Sequence, residues 1–245
     1  MRHTGNTIAT ATAGLLLIGC LEGCDKDSQG TISMASKYSA AAIASSRRVP
    51  PQAGRNAAAI DSIVVTRARF VLRDIKFKGQ SDSASFRTLP FVLELNLAGN
   101  VQDISSIDVP FATYRRVEFD VHKIESGEVA ALPPAERAQF DDFLQGDKYS
   151  IILTCRVYSQ GAMEEVLVRS RVNAKQKIDL SPELVVSEAD PVATVTLRVS
   201  AGGWFDDKHG GLLDPADPHS ESEIADNLKD SIHVFKDRNR DGSPD

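Results

Sequence analysis

The sequence predicts a mainly antiparallel all-β fold: a β-sandwich with a short inserted helix and a C-terminal amphipathic helix. Three observations lead there. Apolar and polar residues alternate in several short runs, the period of a half-buried strand. Gly-, Pro-, Ser- and Asp-containing turns separate about seven to nine such runs between Ile60 and Ser200. No regular alternation of strand and helix points to a parallel sheet. The order of segments is 1–19, a leader; 20–59, a flexible tether; 60–200, the sandwich; and 201–245, an acidic segment with its own helix.

Ile63 to Phe77 is rich in Val, Ile and Phe. Its apolar parity shifts around Ala68 to Val71, which predicts a bulge or two short strands. Phe91, Leu93, Leu95 and Leu97 form the next alternating run, and Val117, Phe119 and Val121 another. Tyr114 lies just ahead of that run, placed to brace the strand's start as a tyrosine corner does. Pro133-Pro134 opens a short helix, since a first helical turn has no use for the N–H that proline lacks. Phe140, Phe143 and Leu144 share one face of it, and Gly146 is the C-cap. Tyr149, Ile151, Leu153, Cys155 and Val157 alternate next. Ser159-Gln160-Gly161-Ala162 then reads as a hairpin loop into Val166 to Val172. Further short strands are expected near Ile178 to Leu180, Leu184 to Val186 and Val192 to Val199. Beyond Ser200, Ser220 and Glu223 have capping-box spacing. Ile224, Leu228, Ile232 and Phe235 share one face of a helix over about Glu221 to Phe235.

The N-terminal end speaks to location. Ile8 to Ile18 is an apolar run behind Arg2 and His3, closed by Leu17-Ile18-Gly19-Cys20. A bilayer span needs about 20 apolar residues, so the run has the size of a signal-peptide core instead. The tetrapeptide resembles a bacterial lipobox. That resemblance implies a signal peptide over 1–19, an N-terminal lipid on Cys20 and a membrane-surface protein of the cell envelope. In Gram-negative lipoproteins an Asp after the acylated cysteine favours the inner membrane. Leu21 there implies the outer membrane. Leu21-Glu22-Gly23-Cys24 is a weaker rival, with a charge beside the cleavage point. Asp25 to about Ala59 is rich in Ser, Ala, Gly and Gln and reads as the tether. A disulfide between Cys24 and Cys155 is open, against two unpaired thiols with Cys155 packed as a small hydrophobe.

The formal net charge is -6, with 25% charged residues. Such a chain repels phosphate backbones, so nucleic acid is not expected as a partner. The segment with metal chemistry is Asp237 to Asp245, reading D-x-N-x-D-G-x-x-D. Its first half matches an EF-hand loop, in which alternate oxygens of a tight turn converge on Ca²⁺ and Gly permits the turn. Asp237, Asn239 and Asp241 would be side-chain ligands, Ser243 a carbonyl ligand, and Asp245 a ligand directly or through water. Position twelve, normally a bidentate Glu, has no counterpart in this sequence. Asp206, Asp207, Asp214 and Asp217 are substitutes by composition. A solvated acidic tail with a turn at Asp241-Gly242 is the competing reading. The role expected of a bound ion is structural.

No catalytic signature is present: there is no nucleophile elbow and no phosphate-cradling loop. Glu164-Glu165 sits at a hairpin tip, and the histidines are scattered. Trp204 beside Phe205 is either a ligand contact or a core anchor where the last strand meets the terminal helix. The expected function is therefore non-enzymatic, a binding or structural module. Its partner would be the membrane together with an envelope protein or a glycan. One alternative is a carbohydrate- or adhesion-type module using Trp204. A second is a metal-dependent extracytoplasmic hydrolase using His209, Asp206 and Asp214.

Three stretches, Val64 to Lys78, Phe91 to Leu97 and Val109 to Ile124, are joined by Gly203-Trp204-Phe205, the Asp214-Pro215 turn and the DRNRDG ending. Together they resemble a group of bacterial envelope lipoproteins with a β-sandwich domain of unknown function. The resemblance covers about Ile60 to Asp245. It implies an immunoglobulin- or transthyretin-like sandwich and no catalytic residues. The group's small turn usually contains Gly, where this chain has Phe111-Ala112-Thr113.

Overall fold

The computed structural model describes residues 29–40, 60–79, 83–87 and 89–245. The leader, Cys20, Cys24 and most of the predicted tether lie outside the described residues. Within them the chain is an all-β sandwich of two packed sheets with a few short helices.

The seven-stranded sheet is built on β2 (Ile60–Gly79). The sheet's other strands are β3 (Ser83–Arg87), β4 (Phe91–Glu94), β6 (Ala112–Val121), β7 (Ile151–Ser159), β8 (Ala162–Ser170) and β9 (Ala174–Val186). The main order is β8-β7-β2-β6-β9, with β3 and β4 also paired to β2. The parity shift seen in the sequence has a cause. Register slips against β7 between Val65 and Arg67, and against β6 between Arg73 and Lys76. Asp74 there takes a left-handed φ of 55°. Val71 is the hand-over point: its N–H donates to Ser150 O at 2.8 Å, and its C=O accepts from His122 N at 3.0 Å. One long strand thus serves two neighbours in succession. The tyrosine corner also forms, Tyr114 Oη donating to Pro110 O at 2.9 Å.

The four-stranded sheet has the order β11-β10-β1-β5, from β1 (Gln29–Ser39), β5 (Gln102–Pro110), β10 (Val192–Ser200) and β11 (Ile232–Lys236). It corrects the sequence reading three times. First, residues 29–39 are not tether but an inner strand. Ile32, Met34 and Tyr38 point into the core at 0%, 0% and 6% exposure, because burying them outweighs the polar composition around them. Second, β1 pairs with β10 in parallel and with β5 antiparallel, so the sandwich is not purely antiparallel. Third, the terminal helix α3 (Glu221–Asp230) stops short of Phe235. Ser231 caps it, its Oγ donating to Leu228 O at 2.7 Å, and the β-branched Ile232 and Val234 continue as β11 against β10. Residues 201–245 therefore contribute a strand to the sandwich and are not a separate acidic appendage.

One core lies between the sheets. A second, smaller one lies on the outer face of the larger sheet, where Phe140 and Phe143 meet Val71, Ile124 and Ile152. Their cover is the predicted insertion, realised as α1 (Ser126–Val129), α2 (Pro134–Arg137) and a 3₁₀ turn at Ala138–Phe140. Arg69 is nearly buried there, its guanidinium 5.1 Å from the Phe143 ring centroid and 2.6 Å from Asp142.

Candidate functional site

The Asp237–Asp245 loop leaves β11 and folds across the smaller sheet, reaching Thr196 of β10, Lys37 of β1 and Asp103 of β5. Asp237 is fully buried. Its Oδ2 accepts from Thr196 Oγ1 at 2.6 Å and from Gly242 N at 2.9 Å, and its Oδ1 accepts from Asp241 N at 3.1 Å. Arg240 and Gly242 adopt left-handed φ values of 58° and 78°, which curl successive N–H groups towards the Asp237 carboxylate. A side chain at Gly242 would also collide with Lys37. The Asp241 carboxylate closes the next ring: Oδ1 accepts from Ser243 N at 2.7 Å, and Oδ2 from Asn239 Nδ2 at 2.9 Å. The Ser243 N–H foremost, then the Asn239 amide, holds the Asp241 carboxyl below the usual carboxylate range. Asp245 turns back to accept from Arg238 N at 3.0 Å.

Three cations tie the loop down. Lys37 of β1 donates to Asp241 O at 2.6 Å, Arg238 pairs with Asp190, and Arg240 pairs with Asp103 of β5. The structure thus brings Asp237, Asn239, Asp241, Ser243 and Asp245 into one turn, as the spacing predicts. Their side chains and the Ser243 carbonyl offer oxygen donors. The carboxylates, however, are closed onto the loop's own N–H groups. Among the described residues no three His, Cys, Asp or Glu side chains converge to hold a metal ion.

The other sequence candidates separate. Trp204 is fully buried, its ring centroid 6.1 Å from Tyr38 and 6.2 Å from Phe70. It is a core anchor and not a surface contact, because its indole fills the space where β1, β2 and α3 meet. Asn227 of α3 fixes the backbone there, its Nδ2 donating to Trp204 O at 3.3 Å and Asp206 O at 3.0 Å. The acidic residues that follow are turn-makers. Asp207 Oδ1 accepts from His209 N and Gly211 N, both at 2.7 Å, and Asp214 Oδ1 from Ala216 N at 2.9 Å. His209, Asp206 and Asp214 form no metal-holding group. Cys155 is buried, and burial pushes its thiol up to about 12, so it is an inert packing residue.

Sequence reasoning missed one polar cluster. His122, buried at the end of β6, places Nε2 2.9 Å from Glu128 Oε2 and Nδ1 3.1 Å from Asn173 Oδ1. Arg73 also pairs with Glu128, and Lys123 N donates to Asn173 Oδ1 at 3.3 Å. Burial works against the Glu128 charge. The His122 bond, the Glu125 N–H and the Arg73 charge outweigh it and hold the carboxyl below its ordinary range. The cluster pins the helical insertion to the sheet. Its one sequence signal is the spacing of Glu125 and Glu128, which form a capping box at α1.

Among the described residues no helix is long and apolar enough to cross a membrane. Compared with known proteins, the chain matches no family model, no curated protein and no solved structure.

Proposed function

We propose that this chain is a lipid-anchored protein of the bacterial cell envelope, held at the outer membrane, whose sandwich serves as a non-enzymatic binding or structural module. The observation that carries the reading is Leu17-Ile18-Gly19-Cys20 at the close of a short apolar run. The geometry supports the non-enzymatic part. The carboxylates of the acidic segment are engaged in turns, and Trp204 is spent on the core. The burial of Trp204 also removes the support for the carbohydrate alternative.

The anchor is short. Gln29, where β1 starts, lies nine positions after Cys20, so an acyl group on Cys20 would hold that strand within about 30 Å of the bilayer. The same reading gives the C-terminal loop a structural Ca²⁺, with Asp241 and Asp245 turning inward to join Asp237, Asn239 and the Ser243 carbonyl.

Two measurements test this. Cells fed an alkyne fatty acid should label the full chain, and Cys20→Ala should abolish both the label and sedimentation with membranes. A wild-type chain that stays unlabelled and cytosolic ends the anchor reading. Calorimetric titration of the full chain should show Ca²⁺ binding heat, lost in Asp241→Asn. No heat, together with an identical melt in calcium and in chelator, ends the calcium reading.

A further inference from the structure

The larger sheet ends in β8, which pairs with β7 over its 9 residues with no slip in register. The two-residue turn at Gln160-Gly161, with φ of 51° and 80°, makes Ser159 and Ala162 a hydrogen-bonded pair. Ser170 O accepting from Ser150 N at 2.9 Å keeps the same phase. Met163, Glu165, Leu167 and Arg169 therefore direct their N–H and C=O groups away from β7. No described strand pairs with them there.

Sheet edges are ordinarily blunted by proline, a bulge, charged side chains or shortness. β8 has no proline and no slip against β7, and its charged residues are Glu164, Glu165 and Arg169. Its outer face shows Met163 and Leu167 at 54% and 46% exposure, beside Tyr158 and Val64 at 36% and 47%.

The segment Glu165-Val166-Leu167-Val168-Arg169 is complementary to itself when reversed. A second copy laid antiparallel about Leu167 sets Leu167 against Leu167, Val166 against Val168, and Glu165 against Arg169 at both ends. Opposite charges face each other twice, and about six backbone hydrogen bonds form. Centring the pair on Glu165 sets that carboxylate against itself. Centring it on Val166 sets Glu165 against Leu167. The partners are also well placed within the chain. Arg169 is held 5.5 Å over the Tyr149 ring, and Glu165 stands across from Arg156. Arg171 is engaged by Asp147 and Glu221, so the pairing stops at Arg169.

We infer that β8 is a self-association edge, through which two copies of this chain join antiparallel about Leu167 into one continuous sheet. The edge is short, and the dimer is accordingly weak and reversible.

The test uses the purified full-length chain with Cys20→Ser and Cys24→Ser, so that the introduced thiol is the reporter, Cys155 being buried. L167C should form a disulfide-linked dimer under mild oxidation. M163C serves as the control, since its counterpart lies about 27 Å away in this register, and it should cross-link at least about tenfold more slowly. In the L167C background, E165R and R169E should each stop cross-linking, as each sets like charges together. Mixing the two variants should restore it as a heterodimer, because positions 165 and 169 then face each other with opposite charges at both ends of the pair. That rescue also shows that neither variant is merely misfolded. Equal rates for L167C and M163C, or charge reversals without effect, or a mixture that stays monomeric, would overturn the proposal.

Discussion

Replacing Asp237 with Asn tests what the C-terminal loop contributes. The carboxylate is fully buried and accepts three hydrogen bonds, from Thr196, Gly242 and Asp241. An amide of the same shape keeps one acceptor oxygen and turns an NH₂ group towards at least one N–H. Hydrogen bonds to a charged partner contribute about 1.5–3 kcal/mol each, and a stranded buried donor costs about 1–3 kcal/mol. A neutral amide is cheaper to bury, which offsets part of the loss. The net expectation is about 2–3 kcal/mol of lost stability. For a chain of this size each 1 kcal/mol moves the melting temperature by roughly 2–4 °C, so D237N should melt about 5–10 °C lower. Thermal melting followed by circular dichroism in chelator reads this directly, without any contribution from calcium. Thr196→Val, which removes one of the three donors, should fall between wild type and D237N. If D237N in chelator melts within about 2 °C of wild type, the loop is not held by its buried carboxylate, and the account of the site fails.

Trp204→Ala should cost about 3–5 kcal/mol in urea unfolding, with Trp204→Phe costing less because it keeps a ring against Tyr38 and Phe70. Near-native stability of the alanine variant would mean the indole is not the core anchor. Peptide mapping after alkylation at pH 8 should find Cys155 unmodified in the native chain and modified in urea, since burial keeps its thiol protonated. Stability should also fall in acid. Glu94, Glu128 and Asp241 all have folded pKa values below their unfolded ones, so their contribution is full above the unfolded carboxylate range and is lost as pH drops through the folded values. Glu128→Gln should flatten part of that decline in the urea midpoint between pH 7 and pH 3. An unaltered slope would refute the assignment.

Much of the sandwich is legible from side-chain alternation alone. Phe91, Val117 to Val121 and Ile151 to Val157 announce their strands because every second residue enters the core between the sheets. β1 is harder to read. Ile32, Met34 and Tyr38 keep the period of two, but Ser36 occupies the inward position between Met34 and Tyr38, and the segment's Ser, Lys and Gln disguise it as linker. β5 escapes for the opposite reason. It is an edge strand with Val109 as its one buried apolar side chain, so it has little pattern to show. β11 is masked by coincidence, since Ile232 falls one helical step after Leu228 and the helix period runs on past its real end. At the candidate site, the turn at Asp241-Gly242 follows from its residue types. The burial of Asp237 does not, because a carboxylate in an acidic stretch looks solvated until its tertiary contacts with Thr194 and Thr196 are known.

The position of β1 has a mechanical consequence. It enters the sheet at Gln29 between β10 and β5, bonded along both sides, with the proposed acyl anchor just ahead of it. Tension drawn from the bilayer along this strand loads both ladders in shear, so many bonds share the force at once. A terminal edge strand would instead be peeled away one bond at a time. The proposed attachment point is therefore also a place where the domain is built to resist pulling.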